Sequence, residues 1–312
     1  MIKDQDSVST NNINRDIEFL DKKRSRLARN TIIIIILFAL LYIPLALLME
    51  YKLGINKRML RIAALPAVYF IYYRIFKQRE VITDEFYSAI TSKIISSINP
   101  KWKHDPSKGI DSSEISNTLL IKQGSCIISK NRITGKLGKT EFQFSEVKVI
   151  KNNYISAKMP SKVFHGYFFI FNFNKSTQSK LFIRPRLFKD FGNPDFNEPL
   201  IKSDSKEFDS KFALYSSDEL HARCILTPAL MSRLLDLSAS LNGNTSILID
   251  GSILYLALRA KKNFIEPALF RKMNQESIIE NETQVFQLIE KIIENLNMNR
   301  RIWKISKEDN ND

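Results

Sequence analysis

Two cysteines, Cys126 and Cys224, and three histidines are all that 312 residues hold of these side chains. A disulfide-stapled secreted scaffold would carry more cysteine, in even, patterned sets. Two isolated cysteines fit a reducing compartment. The sequence leaves a bridge between them open, because it carries no three-dimensional distance. The scarcity also argues against a metal centre. His221 and Cys224 are three apart and would share one face of a helix, which is at best half a zinc site. His104, His165 and Cys126 stand alone.

Other catalytic signatures are also missing. No Gly-x-Ser-x-Gly nucleophile elbow occurs. Cys224 could pair with His221 or His165 by type alone, but it precedes the apolar Ile225-Leu226 and reads as core. Asp218 and Glu219 are adjacent, so they diverge on most backbones and read as capping or salt-bridging groups. "TGKLGKT", Thr134 to Thr140, imitates a phosphate loop. A true P-loop needs four residues between its first glycine and the Gly-Lys pair, and only two separate Gly135 from Gly138. A basic β-turn is the better reading. The expectation is no catalytic residue, no cofactor and no metal ligand.

What the chain does have is positive charge, a net +14. That attracts anionic partners such as acidic lipid, nucleic acid or an acidic protein, or simply solvates the surface. The basic residues cluster beside apolar segments, in "DKKRSRLARN" and "YRIFKQR". This placement favours membrane topology over nucleic acid.

Thr31 to Met49, "TIIIIILFALLYIPLALLM", carries no charge. It is about the length that roughly 20 apolar residues need to cross the hydrocarbon core. Its length, its position and the lack of a small-x-small cleavage site argue against a signal peptide. Pro44 is tolerable in a membrane helix. A second apolar run, Met59 to Phe76, is bounded by Arg61 and Arg74 and carries Tyr69, Tyr72 and Tyr73 for an interfacial belt. The reading is a two-helix transmembrane hairpin; the rival is one span followed by an interfacial helix. Lys22, Lys23, Arg24, Arg26 and Arg29 precede the first span, and Arg74, Lys77 and Arg79 follow the second. The link carries Lys52, Lys57, Arg58 and Arg61. The bias places both termini in the cytoplasm, in a multi-pass protein of the inner, cytoplasmic membrane.

The expected organisation is a polar segment at 1–30, loose at its start, and a hairpin at 31–76 with spans 31–49 and 59–76. A soluble domain follows at 80–272, then a C-terminal amphipathic helix and polar tail at 273–312. Residues 80–98 read as an amphipathic helix with Val81, Phe86, Ile90, Ile94, Ile95 and Ile98 inward. Strands are expected in "SCIIS", "RITGKLGKTEFQFSEVKVI", "LIKSD" and "FALYS". "KVFHGYFFIFNFNKSTQSKLFIRP" reads as a hairpin turning near residues 174–177. Its Phe169, Phe171 and Phe173 take one face, and Phe164, Phe168 and Ile170 the other, so this strand is buried on both. Thr227 caps a helix with Pro228 in its first turn, and Leu230, Leu234, Leu237 and Leu241 along one face. Asp250-Gly251 turns a further hairpin. The fold class is α+β: a membrane hairpin followed by a mixed helix and antiparallel-sheet cytoplasmic domain.

These motifs resemble a family. "EFDSKFALYSSDELHARCILTP" is similar to the signature of the bacterial domain of unknown function 3137 family. The matching residues are Glu207, Phe208, Phe212, Tyr215, Asp218, Ala222, Arg223, Leu226, Thr227 and Pro228. "GKLGKTEFQFSEVKV", "FHGYFFIFNFNKSTQSKLFIRP" and "FIEP" resemble further family stretches. His221 and Cys224 depart from the family pattern. The resemblance implies a membrane-anchored architecture and no assigned activity. Glu207, Asp218, Arg223, Thr227 and Pro228 are the candidate fold-signature or functional residues. Arg223 is expected to pair with Asp218 or Glu207, tying strand to helix. The expected partners are the lipid bilayer and an unidentified protein.

Overall fold

The computed structural model describes residues 2–151, 161–172, 179–187, 191–192, 199–240, 245–259, 270, 272–274, 278 and 287–294. The chain divides into two compact units, Met1–Ser97 with Ile265–Glu282, and Ile98–Phe264 with Thr283–Asp312.

The first unit is built on two long helices, α1 (Ile2–Leu53) and α2 (Lys57–Phe86). The latter continues through a π-turn, Tyr87–Thr91, into α3 (Ser92–Ile98). Gly54, at φ +59, ends α1, and the Asn56 side chain caps α2 by accepting from Arg58 N. A connection this short makes the helices antiparallel neighbours. Their cross-contacts step toward the turn: Lys93 with Asp16, Lys23 with Glu85, Thr31 Oγ1 with Gln78 Oε1 at 2.8 Å, and Tyr42 OH with the Leu60 carbonyl.

From Ile32 to Val81 no described side chain is buried. Both helices are long and apolar enough to cross a membrane. Exposed apolar surface of this extent suggests membrane association. Outside the apolar runs the two helices pack along a buried seam. Ile13, Ile17, Leu20, Arg24 and Ala28 are buried on α1, and Ile82, Phe86, Tyr87, Ile90, Ile94 and Ile95 on the returning helix. The start of the chain therefore differs from the loose segment expected. Its apolar residues recur every three to four positions, the spacing of a helix–helix seam. The expected inward face is also corrected: Val81 and Ile98 are exposed and Ile82 takes the buried place. A π-turn adds one residue to the helical turn and shifts the phase of everything beyond it.

Among the described residues the second unit is a nine-stranded antiparallel sheet with helices. In chain order it contains β1 (Lys103–Asp105), α4 (Ser112–Asn117), β2 (Cys126–Leu137), β3 (Thr140–Lys151), β4 (Ser161–Asn172), β5 (Leu181–Pro185) and β6 (Leu200–Ile201). Then come α5 (Lys206–Lys211), β7 (Phe212–Tyr215), α6 (Glu219–Ile225), α7 (Pro228–Ser240), β8 (Thr245–Asp250) and β9 (Ile253–Arg259). A further helical stretch covers 287–294. The strand order is β1-β2-β3-β4-β9-β8-β5-β7-β6.

Both faces of β4 are packed. Phe164, Phe168 and Ile170 join Val147, Val149, Ile115, Leu120 and Phe191 in one cluster. Phe169 stacks on Phe144 and Phe171 on the other face, with centroids 5.2 and 5.9 Å apart. Each buried phenylalanine contributes about 1.5–3 kcal/mol of transfer free energy. Phe173 and the expected turn at 174–177 lie outside the described residues.

β4 and β5 are both strands, yet they do not form the expected hairpin. The β8–β9 hairpin lies between them, with β9 on β4 and β8 on β5. At about 4.8 Å per strand spacing, β4 and β5 stand some 14 Å apart. They still run in opposite directions. Gly138 (φ +61) and Gly251 (φ +58) turn the β2–β3 and β8–β9 hairpins, each with two-residue loops. The phosphate-loop imitation is thus a β-turn between antiparallel strands.

On α7, Met231, Leu234 and Leu237 are buried, while Leu230 is only half-buried. Leu241 lies outside the described residues, as does "FIEP".

Candidate functional site

The residues singled out by the motif occupy 207–228, where β7 lies between α5 and the helices α6 and α7. Ser205 caps α5 by accepting from Phe208 N at 3.2 Å. Phe208 is fully buried and tilts against Phe212 at 4.9 Å between centroids. Arg186, two strands away in order from β6, donates to the carbonyls of Asp209 at 2.6 Å and Phe212 at 3.1 Å. The turn out of β7 is held by buried Ser216, whose hydroxyl donates to the Lys180 carbonyl at 2.7 Å and accepts from Asp218 N at 3.3 Å.

Asp218 then caps α6: its Oδ1 accepts from His221 N at 3.0 Å. Thr227 caps α7, accepting from Leu230 N at 3.3 Å, and Pro228 opens the helix. These are local consequences of residue type. Short side-chain oxygens satisfy the first helical N–H groups, and proline lacks the N–H that would otherwise be orphaned.

Arg223 projects from α6 but meets neither Asp218 nor Glu207. Its Nη1 contacts Asp204 Oδ1 at 2.5 Å, and its Nη2 contacts Glu219 Oε1 at 2.9 Å. The two carboxylates hold its guanidinium pKa above the ordinary value, through the Glu219 hydrogen bond first and the Asp204 charge next. Asp218 is turned to the helix end as a cap, so its carboxylate is not available to Arg223. Glu207 lies on α5 and is reached by Lys211 at 3.4 Å. The tie to α6 therefore starts from Asp204, two residues ahead of α5 and next to its cap Ser205, a position outside the motif. Its signal was present in "KSDSKEF", an acid next to a serine cap.

His221 and Cys224 share α6, but Cys224 is exposed rather than core; Ala222 and Ile225 take the inward face. Cys126 is exposed as well, and both cysteines are free. Among the described residues no group of three or more histidine, cysteine or acidic side chains could hold a metal ion.

A second polar cluster escaped the sequence reading. His165 Nε2 and Glu146 Oε1 are 2.8 Å apart, and Lys148 Nζ lies 3.3 Å from the same carboxylate oxygen. His165 and Glu146 are mostly buried, at 7% and 13% side-chain exposure. Strand register brings them together: Lys148 pairs with His165, and Glu146 with Tyr167. Alternation along "SEVKV" placed Glu146 and Lys148 on one face, but only the pairing of β3 with β4 adds the histidine.

No curated protein matches the chain. Among solved structures, the crystal structure of the mycobacterial trehalose monomycolate transport factor A, TtfA, aligns with a TM-score of 0.36 at 9% identity. The alignment covers 64% of this chain and 95% of that one. The matched family stretch, 162–298, holds Glu207, Asp218, Arg223, Thr227 and Pro228, while "GKLGKTEFQFSEVKV" precedes it. Residues 162–298, from β4 through the last helical stretch, match the family of proteins of unknown function DUF3137, the family that the motifs resemble.

Proposed function

We propose that this protein is a non-enzymatic binding or scaffolding module anchored in the cytoplasmic membrane by its helical hairpin, with the sheet domain in the cytoplasm. The observation that carries the reading is the antiparallel pair α1–α2, whose side chains from Ile32 to Val81 are left unburied. If both helices cross, the part of α1 ahead of Thr31 and the chain beyond α2 emerge on one side. The basic flank at Lys22, Lys23, Arg24, Arg26 and Arg29 supports the cytoplasm as that side. The residues at 204–230 act in this reading as a fold join, since their side chains are engaged in caps and ion pairs.

The two exposed cysteines supply the test. In spheroplasts of a host expressing the full chain, a membrane-impermeant maleimide is expected to leave Cys126 and Cys224 unlabelled until the membrane is permeabilised. Ile55→Cys, in a background with both native cysteines changed to serine, is expected to label from outside. Labelling of Cys126 or Cys224 in sealed cells would refute the topology. Crosslinking from native membranes then identifies the partner.

A further inference from the structure

At one end of the sheet the strand register gathers lysines on a single face. Lys103 pairs with Thr134, Thr134 with Gln143 and Gln143 with Ile170. The next row on that face holds Lys136, Glu141 and Asn172. Lys101 stands two residues before Lys103, so it extends this second row. These side chains line a shallow groove of about 470 Å³. Lys101, Lys103, Lys136 and Asn172 are exposed, and Thr134 and Gln143 are half-buried. Glu141 is the one acidic side chain of the lining, 3.6 Å from Lys136. No salt bridge to Lys101 or Lys103 occurs among the described residues.

The backbone beneath is firmly placed. Trp102 points to the opposite face, packs edge-on against Phe142 with centroids 4.9 Å apart, and donates to the Lys136 carbonyl at 3.3 Å. A Cβ at Gly135 would come within 2.5 Å of the Trp102 ring, so the strand can lie this close to the indole only as glycine. Lys103 and Lys136 are therefore carried on β1 and β2, and Lys101 on the turn that leads into β1.

We propose that this groove binds the phosphate headgroup of an anionic phospholipid. Three lysine ammoniums attract one phosphate as point charges. Thr134, Gln143 and Asn172 add hydrogen-bonding groups for the neutral part of a glycerol headgroup. Nucleic acid fits less well. Phe142, the aromatic residue of the lining, is 4% exposed and packed on Trp102, so no ring is offered to stack a base. The lipid source follows from the anchor: a chain held in the bilayer meets headgroups at high effective concentration, and a weak site then suffices. The inference rests on the membrane-anchored reading, though not on which side of the membrane the sheet domain occupies.

The test uses the full chain reconstituted in vesicles, with an environment-sensitive NBD fluorophore on Thr134→Cys in a cysteine-free background. Vesicles of phosphatidylcholine alone are compared with vesicles that also contain phosphatidylglycerol. The expected result is a blue shift and brightening that grow with the phosphatidylglycerol fraction and are lost in high salt. Joint replacement of Lys101, Lys103 and Lys136 by glutamine is expected to abolish the response. The same replacement at Lys202, Lys206 and Lys211, which removes equal charge elsewhere, is expected to leave it intact. Circular dichroism checks that both variants fold. Identical emission in the two vesicle types overturns the proposal, as does equal loss in both variants. An equal response to inorganic phosphate over phosphatidylcholine assigns the groove to free phosphate and overturns the lipid source. Failure of the chain to float with vesicles counts instead against the membrane-anchored reading itself.

Discussion

Arg223 binds Asp204, nineteen residues upstream, at 2.5 Å, and leaves Asp218 to cap the helix that carries it. The two roles have different energetic weights. An exposed ion pair gains little in high dielectric and is screened by salt. A cap satisfies a backbone N–H that is otherwise orphaned. Asp218→Ala and Thr227→Ala are each expected to destabilise the protein by about 1 kcal/mol. Arg223→Ala is expected to unfold with the parent. Urea denaturation of the three variants, followed by circular dichroism, checks the contrast. An Arg223→Ala loss as large as the cap losses would show that the pair is structural after all.

Gly166 sits where β4 meets β9. A Cβ there would lie 1.9 Å from the Leu258 carbonyl oxygen, a backbone atom that cannot swing aside. Gly166→Ala must therefore spread the two strands. A cost of about 1–3 kcal/mol is expected, as for other overpacked core positions. The denaturation midpoint measures it. A neutral substitution would mean that β4 and β9 do not pair in this register.

His104, paired with Ile133 across β1 and β2, is largely buried. Burial pushes its pKa from 6.5 down to about 4, against the neighbouring Asn131 side chain and Asp105 charge, which raise it. Between these two values the unfolded chain binds a proton that the folded chain refuses. Stability is therefore full above about pH 6.5, falls as pH drops toward 4, and changes no further below that value from this group. The total is on the order of 3 kcal/mol. Stability of the full chain in detergent, measured from pH 7 to 4, is expected to lose this component in His104→Gln. An unchanged slope in the variant would assign the pH dependence to other groups.

His221 and Cys224 are the residues of the join whose types most suggest chemistry. Changing both, as His221→Ala with Cys224→Ser, is expected to leave expression, folding and any phenotype of the deletion strain fully complemented. A well-folded double variant that fails to complement would instead favour an enzymatic site on α6.

Much of the local architecture could be read from residue order. Five isoleucines in an uncharged run beside lysine and arginine announced a helix long and apolar enough to cross a membrane. The alternating aromatic residues of β4 announced a strand buried on both sides. Thr227-Pro228 and Asp250-Gly251 act on backbone groups within a few positions, so helix start and hairpin turn appear where the residues stand. The seam at Ile13, Ile17 and Leu20 was equally present, but the polar residues around it masked the spacing.

What required the tertiary structure were the relations between distant segments. β4 takes β9 rather than β5, because the partner across a ladder is chosen by side-chain fit over many residues, whereas a turn signal reaches only its neighbours. Arg223 takes Asp204 because α5 and α6 bring them together, at a separation no local rule registers. Ile82 rather than Val81 takes the buried place on α2, four residues before buried Phe86 and ahead of the π-turn at Tyr87–Thr91. The sequence by itself determined where the chain is apolar, where it turns and where its helices begin, since those depend on short-range sterics and hydrogen bonding. Only the tertiary structure decided which strands and charges meet, because that depends on how the whole apolar surface is buried at once.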